Sequence, residues 1–286
     1  MTSWHSEKFP QGIHALTGGE GSTVVLLPGW PETAEAYSEV FPSLAERHRV
    51  FAVDPPGLGD SAPSTAGYDT GTISKILEAS LRPAIGETYH LVGHDIGAWI
   101  AYAWAAQFPK SLKSLTLLDS SLPGLGAPQS FPLPFEVNMK LWQFSFNTLP
   151  GLPEILTSGR ERELFDWLYQ NKSQHPERLS QAHRDRYVES YAKPGGMSQG
   201  FAYYRSAAQS ASQNLVFSQD KLPIPVLSLG GRSATSDHLR SAMEAIAVQV
   251  EGGVIEDCGH YVMEEQPEQV AQRLLAFFAR VESAIS

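Results

Sequence analysis

The sequence predicts an α/β protein with a mostly parallel sheet, helices on its faces and a helical segment inserted late in the sheet. Three observations carry that prediction. Short apolar runs at residues 22–27, 50–53, 89–92 and 114–118 are bounded by turn formers and separated by stretches that fit crossover connections. After Leu118 this grammar gives way, for about a hundred residues, to aromatic and aliphatic side chains at helical spacing, and it returns at 224–229. Gly93-His94-Asp95-Ile96-Gly97 stands between the 89–92 strand and a helix at 97–106, with a glycine on each side of Asp95. Small residues there permit a sharp strand-to-helix turn that strains the central residue and pushes its side chain into a cleft.

In chain order, residues 12–15 and 22–27 read as two short strands joined by the turn Gly18-Gly19-Glu20-Gly21, and the second runs into Pro28-Gly29-Trp30-Pro31. The 50–53 strand feeds Asp54-Pro55-Pro56-Gly57-Leu58-Gly59-Asp60-Ser61, a loop dense in turn formers. The strand at 89–92, the helix at 97–106 and the strand at 114–118 follow. The stretch 131–214 repeats aromatics at helical spacing, as in Leu164, Phe165, Leu168 and Tyr169, contains no convincing strand and uses Pro and Gly as stops. A strand at 224–229, a helix at 238–247, a strand at 253–255 and an amphipathic helix at 267–281 close the chain.

A chain of 286 residues suits one large domain, or a core with an inserted lid. Its net charge of −10 and the lack of a basic patch argue against nucleic acid and anionic membrane surfaces as partners. The single cysteine, Cys258, rules out an internal disulfide framework and fits a reducing compartment. Residues 1–12 hold no apolar leader and no run is long enough to span a membrane, so a soluble, cytoplasmic protein is expected. The nine histidines show no metal-ligand spacing, and neither a metal nor a cofactor is expected.

Asp95 is the residue with the clearest chemical meaning. A carboxylate on such a turn can attack carbon and form an ester, splitting one difficult displacement into two easier steps. The same position also suits an aspartate that only caps the helix.

Four motifs in order, Pro28-Gly29-Trp30-Pro31, Asp54 to Ser61, Gly93-His94-Asp95-Ile96-Gly97 and Gly259-His260, resemble the α/β-hydrolase superfamily across the whole chain. The aspartate turn resembles its epoxide hydrolase and haloalkane dehalogenase branch. Trp142-Gln143-Phe144-Ser145-Phe146, Gly159-Arg160-Glu161-Arg162, Tyr191-Ala192-Lys193-Pro194, Phe201-Ala202-Tyr203-Tyr204-Arg205, Val250-Glu251-Gly252 and Cys258-Gly259-His260 resemble the Cif-like epoxide hydrolases in particular. The resemblance implies an α/β-hydrolase fold with an eight-strand-type sheet, a core at 1–121 and 223–286, and a helical cap at 122–222.

It further implies that Asp95 is the nucleophile and that His260 activates the water that cleaves the ester, a task suited to imidazole. The acid that orients His260 is less direct. Many relatives carry it in the turn that here reads Gly230-Gly231-Arg232-Ser233-Ala234, without a carboxylate. Asp119, at the end of the 114–118 strand, matches the place used by Cif-like enzymes, and Asp237 is the reserve. The implied oxyanion donors are the backbone N–H groups of Trp30 and Ile96. Pro28 stands where most relatives have histidine, and Trp30-Pro31 is a candidate cis peptide.

Opening an epoxide requires a donor to the ring oxygen. The resemblance assigns it to a lid tyrosine, Tyr204 rather than its neighbour Tyr203, with Gln143 standing where Cif-like enzymes have histidine. An amide donates a hydrogen bond but transfers no proton at neutral pH. The expected substrates are a small apolar epoxide and water, and a homodimer is left open.

Haloalkane dehalogenase is the nearest alternative activity, but it commonly needs a tryptophan after the nucleophile, where this chain has Ile96. Fluoroacetate dehalogenases need arginines near the turn, and 96–102 has none. A ligand-binding protein on a retired hydrolase scaffold is the alternative of a different class, since a fold does not fix a function.

Overall fold

The computed structural model describes residues 4–125 and 133–285. Eight strands form one sheet: β1 (His5–Phe9), β2 (Ile13–Gly18), β3 (Ser22–Leu27), β4 (His48–Asp54), β5 (Tyr89–His94), β6 (Leu112–Leu118), β7 (Leu222–Gly231) and β8 (Ala247–Ile255). Their spatial order is β1-β2-β4-β3-β5-β6-β7-β8. β2 runs antiparallel to β1 and β4, and every pairing from β4 through β8 is parallel. This is the α/β-hydrolase fold that the motifs imply.

α1 (Phe41–Ala45), α2 (Thr70–Ile85) and α3 (Ile96–Gln107) lie between the early strands. α10 (His238–Ile246), α11 (Val262–Glu265) and α12 (Pro267–Ile285) follow β7 and β8. The inner strands are apolar because both faces are covered: Val24 to Leu27, Leu91, Val92, Leu115, Leu117 and Leu118 are all buried. α3 packs unusually close to the sheet. A Cβ on Gly97 would lie 2.3 Å from the carbonyl oxygen of Leu27, and one on Gly93 would lie 2.3 Å from that of Gly97. Glycine at both positions is a steric requirement of the turn.

Several elements depart from the sequence reading, the short helices α1 and α11 among them, and three are instructive. β1 carries the polar run His5 to Phe9 and lies largely exposed at the sheet edge, so no buried apolar pattern announces it. α2 is absent from the sequence reading although Ile73, Leu77, Leu81 and Ile85 form a buried stripe every fourth residue, and its start is set by the Asp69 side chain, which accepts from the N–H of Thr72 at 2.9 Å. β8 begins at Ala247 rather than near 253, because Gln249 and Glu251 pair with β7 by backbone alone.

Between β6 and β7 the described chain contains α4 (Phe135–Phe146), α5 (Leu152–Thr157), α6 (Glu161–Lys172), α7 (Gln181–Tyr191), α8 (Gly196–Arg205) and α9 (Ala207–Phe217). Residues 126–132 of the expected 122–222 insertion, Phe131 included, lie outside the described residues. Phe165, Leu168 and Tyr169 turn inward and are buried. The helical layer docks on the loops at the C-terminal ends of β3 and β4. Tyr191 donates to the carbonyl of Glu32 at 3.0 Å, Ser190 to that of Gly59 at 3.0 Å and Tyr203 to that of Pro56 at 2.8 Å. Arg186 pairs with Glu35 at 2.9 Å and also with Asp60, while Lys193 reaches Asp60 at 2.7 Å. A cleft between strand ends and a helical layer is a common place for chemistry in open parallel sheets. Among the described residues no helix is long and apolar enough to cross a membrane, and no group of three or more His, Cys, Asp or Glu is placed to hold a metal ion.

Candidate active site

Asp95 sits one residue beyond β5 with φ 48° and ψ −120°, a conformation that L-residues rarely adopt. Its backbone carbonyl receives the N–H groups of Ala98 and Trp99 and the hydroxyl of Ser120. The side chain does not cap α3. Instead Oδ1 accepts from the N–H of Trp30 at 3.1 Å, and Oδ2 faces Nε2 of His260 at 3.5 Å. Gly29 makes the approach of the β3 loop feasible, since a Cβ there would lie 2.4 Å from Cβ of Asp95. The Trp30-Pro31 bond is cis. Ile96 opens α3, where the helical ladder offers its N–H no acceptor.

Asp119 follows β6 at φ 34°. Its Oδ2 accepts from Nδ1 of His260 at 2.7 Å. Its Oδ1 accepts from the N–H of Gly231 at 2.8 Å, the N–H of Thr235 at 3.0 Å and the hydroxyl of Thr235 at 2.7 Å. The turn after β7 therefore grips the acid through N–H and O–H donors instead of supplying one. Asp237 occupies the N-cap position of α10. The acid on His260 is Asp119.

His260 is held on all sides. Its N–H donates to the carbonyl of Lys172 at 3.0 Å, and its own carbonyl accepts from Nε2 of His94 at 2.9 Å. Nδ1 of His94 donates to Glu32 at 2.8 Å, a buried pair that the sequence reading passed over. Burial opposes the charged form of Asp95 and of His260, and their mutual attraction overrides it. The Asp95 carboxyl falls to about 2, with the hydrogen bond and charge of His260 as the main favourable cause. His260 rises to about 9 through Asp119 and Asp95. At neutral pH the site holds a carboxylate beside an imidazolium.

A cavity of about 120 Å³ opens on these groups, with Asp95, Ser120 and His260 on the sheet side and Leu141, Phe144 and Lys172 on the helical side. Of the expected site residues, Asp95, Asp119 and His260 line it, and Trp30, Ile96, Gln143 and Tyr204 do not. Gln143 is buried to 1% exposure, and its amide, oriented to satisfy both neighbours, donates to the carbonyl of Lys140 at 3.0 Å and accepts from the ammonium of Lys172. Gln143, expected as a direct substrate contact, meets Lys172 in this fold. Leu141 and Phe144 lie three apart on one face of α4, and each helical step turns roughly 100°, which carries Gln143 away from the cavity. Tyr204 is also buried, and its hydroxyl lies within reach of the Asp95 charge. Its ring is boxed by Trp30, Trp99 and Phe144 at centroid distances of 5.6, 5.8 and 5.7 Å. Burial first, and then the charge of Asp95, raise its hydroxyl well above the ordinary range. Tyr203 spends its hydroxyl on Pro56.

Lys172 is the functional candidate that the sequence did not mark. It ends α6 in a polar Asn171-Lys172-Ser173 run, which reads as an ordinary solvated helix terminus. Only the docking of α6 over β5 and the His260 loop brings its half-buried side chain into the cavity.

Comparison with known proteins agrees with this fold. A sequence profile described as alpha/beta hydrolase fold matches residues 22–267. A soluble epoxide hydrolase of Corynebacterium sp. (strain C12) is 32% identical over 273 residues, covering 93% of each chain. The crystal structure of Cfl2 from Burkholderia cenocepacia superposes with a TM-score of 0.90 at 36% identity, over 96% of this chain and 95% of that one. The epoxide hydrolase CorEH superposes with a TM-score of 0.89 at 30% identity, over 98% of this chain and 100% of that one. The chain belongs to the α/β-hydrolase fold family, and these relatives support a hydrolase.

Proposed function

We propose that this member of the α/β-hydrolase fold family opens a small apolar epoxide to a vicinal diol through an ester on Asp95. The observation that carries the reading is the division of the Asp95 carboxylate, Oδ1 on the N–H of Trp30 and Oδ2 toward His260, with no capping role for the side chain. Oδ2 attacks the epoxide carbon, and the ring C–O bond breaks toward oxygen. Oδ1 stays on Trp30 and becomes the ester carbonyl. Leu141 and Phe144 give the apolar ring of the substrate a matching wall.

Ester formation removes the charge of Asp95, one of the causes that hold His260 protonated. The imidazolium then releases its proton, and the neutral ring takes one from water, which attacks the carbonyl carbon. The N–H groups of Trp30 and Ile96 hold the resulting oxyanion, and Asp119 keeps the ring aimed. Tyr204 serves as a hydrogen-bond donor to the opened oxygen from its aromatic box. Its raised pKa makes it a reluctant source of a whole proton.

The test uses His260→Ala, which keeps the nucleophile and removes the base. With styrene oxide, intact-protein mass spectrometry should show an adduct of the whole epoxide mass, placed by digestion on the peptide containing Asp95. An alkyl halide accepted in its stead would leave an adduct short by the hydrogen halide, and that result would replace epoxide opening with dehalogenation. Diol formed without an adduct would make Asp95 a base.

A further inference from the structure

We infer that Lys172 is the group that gives its proton to the ring oxygen as the epoxide opens, an inference that rests on the epoxide reading of the site. Its place is built into the machinery. The carbonyl of Lys172 receives the N–H of His260 at 3.0 Å, and a Cβ on Gly259 would lie 2.5 Å from that same oxygen. The end of α6 and the loop of the base are thus in backbone contact, and the lysine side chain enters the cavity shared by Asp95 and His260.

A lysine of this kind usually answers a carboxylate, but the two nearby carboxylates, Asp95 and Asp119, are both engaged by the His260 ring. The ammonium is met by the amide oxygen of Gln143. An ammonium has three donors, so one bond to Gln143 leaves donors for an oxygen in the cavity. Gln143 stands where the sequence reading expected a donor to the substrate. In the fold it orients Lys172, and the donor is a group that can release a proton, which an amide cannot. The charged groups that face Lys172 are Asp95 and Asp119, with the His260 ring between them. Lys140 contributes to the same cavity while its ammonium donates to the carbonyl of Ser233. Burial lowers Lys172 to about 8 against the pull of Asp95 and Asp119, so it is mostly charged at neutral pH yet able to exist as an amine.

The step balances. Oδ2 of Asp95 forms a bond to carbon, the ring C–O bond breaks with its electron pair on oxygen, and one proton moves from Nζ of Lys172 to that oxygen, leaving a neutral amine. Once Asp95 is esterified, the His260 imidazolium gives up its proton, which restores the Lys172 ammonium. In the second half, water adds hydroxide to the acyl carbon and a proton to the neutral His260 ring; the acyl C–Oδ2 bond then breaks, the departing alkoxide takes the proton of the new carboxylic acid, and the diol leaves Asp95 as a carboxylate beside an imidazolium.

The experiment follows adduct formation in His260→Ala with styrene oxide by quenched-flow mass spectrometry from pH 6 to 10. The adduct rate should fall as pH rises through about 8, the value at which Lys172 loses its proton. Lys172→Met should slow the adduct by about 10²-fold and flatten that alkaline fall. Lys172→Arg, which keeps the charge but is a poor acid, should stay slow. Should the Met variant fail to fold, the Arg variant and the pH profile of the lysine-bearing protein still decide. An adduct rate independent of Lys172 and flat above pH 8 overturns the inference. A loss confined to the anionic epoxide 3-phenylglycidate, with styrene oxide unaffected, overturns it in favour of a carboxylate anchor. No adduct from either epoxide in His260→Ala carrying Lys172 defeats the epoxide reading itself, a result distinct from both.

Discussion

The two walls of the cavity were made by different rules. On the sheet side, Trp30, Asp95, Asp119 and His260 hang from the ends of β3, β5, β6 and β8, and the geometry there is held largely by main-chain atoms. On the helical side, Gln143, Tyr204 and Lys172 hang from α4, α8 and α6, and their directions depend on how each helix is rotated against its neighbours. A strand end admits little choice, because register sets the face of every side chain. A docked helix can be turned by tens of degrees with the same apolar stripe, and one residue of error moves a side chain by roughly 100°. On the sheet side Asp95, Asp119 and His260 line the cavity as expected from sequence, whereas on the helical side Gln143 is buried against Lys172 and Lys172 takes a place that no pattern announced.

The contrast can be broken most sharply at Asp95, the proposed nucleophile. Asp95→Ala should lower diol formation on the order of 10⁴-fold with the fold intact, and a rate within tenfold of wild type would remove the sheet side from the chemistry. Asp119→Asn should cost about 10²-fold, because it disorients the imidazole and presents an amide to donors that Oδ1 now satisfies. Asp237→Asn should leave turnover unchanged, and the reverse ranking would hand the orienting role to Asp237.

Smaller effects separate the helical wall from its packing. Tyr204→Phe should slow adduct formation about tenfold, a hydrogen bond to the ring oxygen being worth roughly 1–1.5 kcal/mol. Tyr203→Phe should leave that rate alone and lower the unfolding free energy by about 1 kcal/mol through the lost bond to Pro56. Equal rates in the two variants would return both tyrosines to packing.

A signal of another kind is in stability against pH. His260 rises from 6.5 to about 9 in the folded protein, so the folded state binds more protons between those values. Its contribution is complete below pH 6.5 and is lost as pH rises through about 9. Wild type should therefore lose stability over that window relative to His260→Gln in parallel thermal melts, and parallel curves would mean that the imidazolium is absent from the folded state.

Sequence alone determined the sheet, because buried strands need apolar runs and the Asp95 turn needs Gly93 and Gly97 where backbones nearly touch. It also determined the chemical kinds present at strand ends: a carboxylate at 95, a carboxylate at 119 and an imidazole at 260. It left β1 unseen, since an exposed edge strand buries too little to leave a pattern, and α2 went unread although its buried Ile73, Leu77, Leu81 and Ile85 recur every fourth residue. Tertiary structure decided between Asp119 and Asp237 as the partner of His260, a matter of which carboxylate the N–H groups of Gly231 and Thr235 could reach. It also turned Gln143 from the substrate to a lysine 29 residues away in sequence (172 − 143 = 29). No local pattern encodes that meeting, because the burial that lowers the lysine's pKa and the carboxylates that oppose it come from three separate elements and exist only once the helical layer has closed over the strand ends.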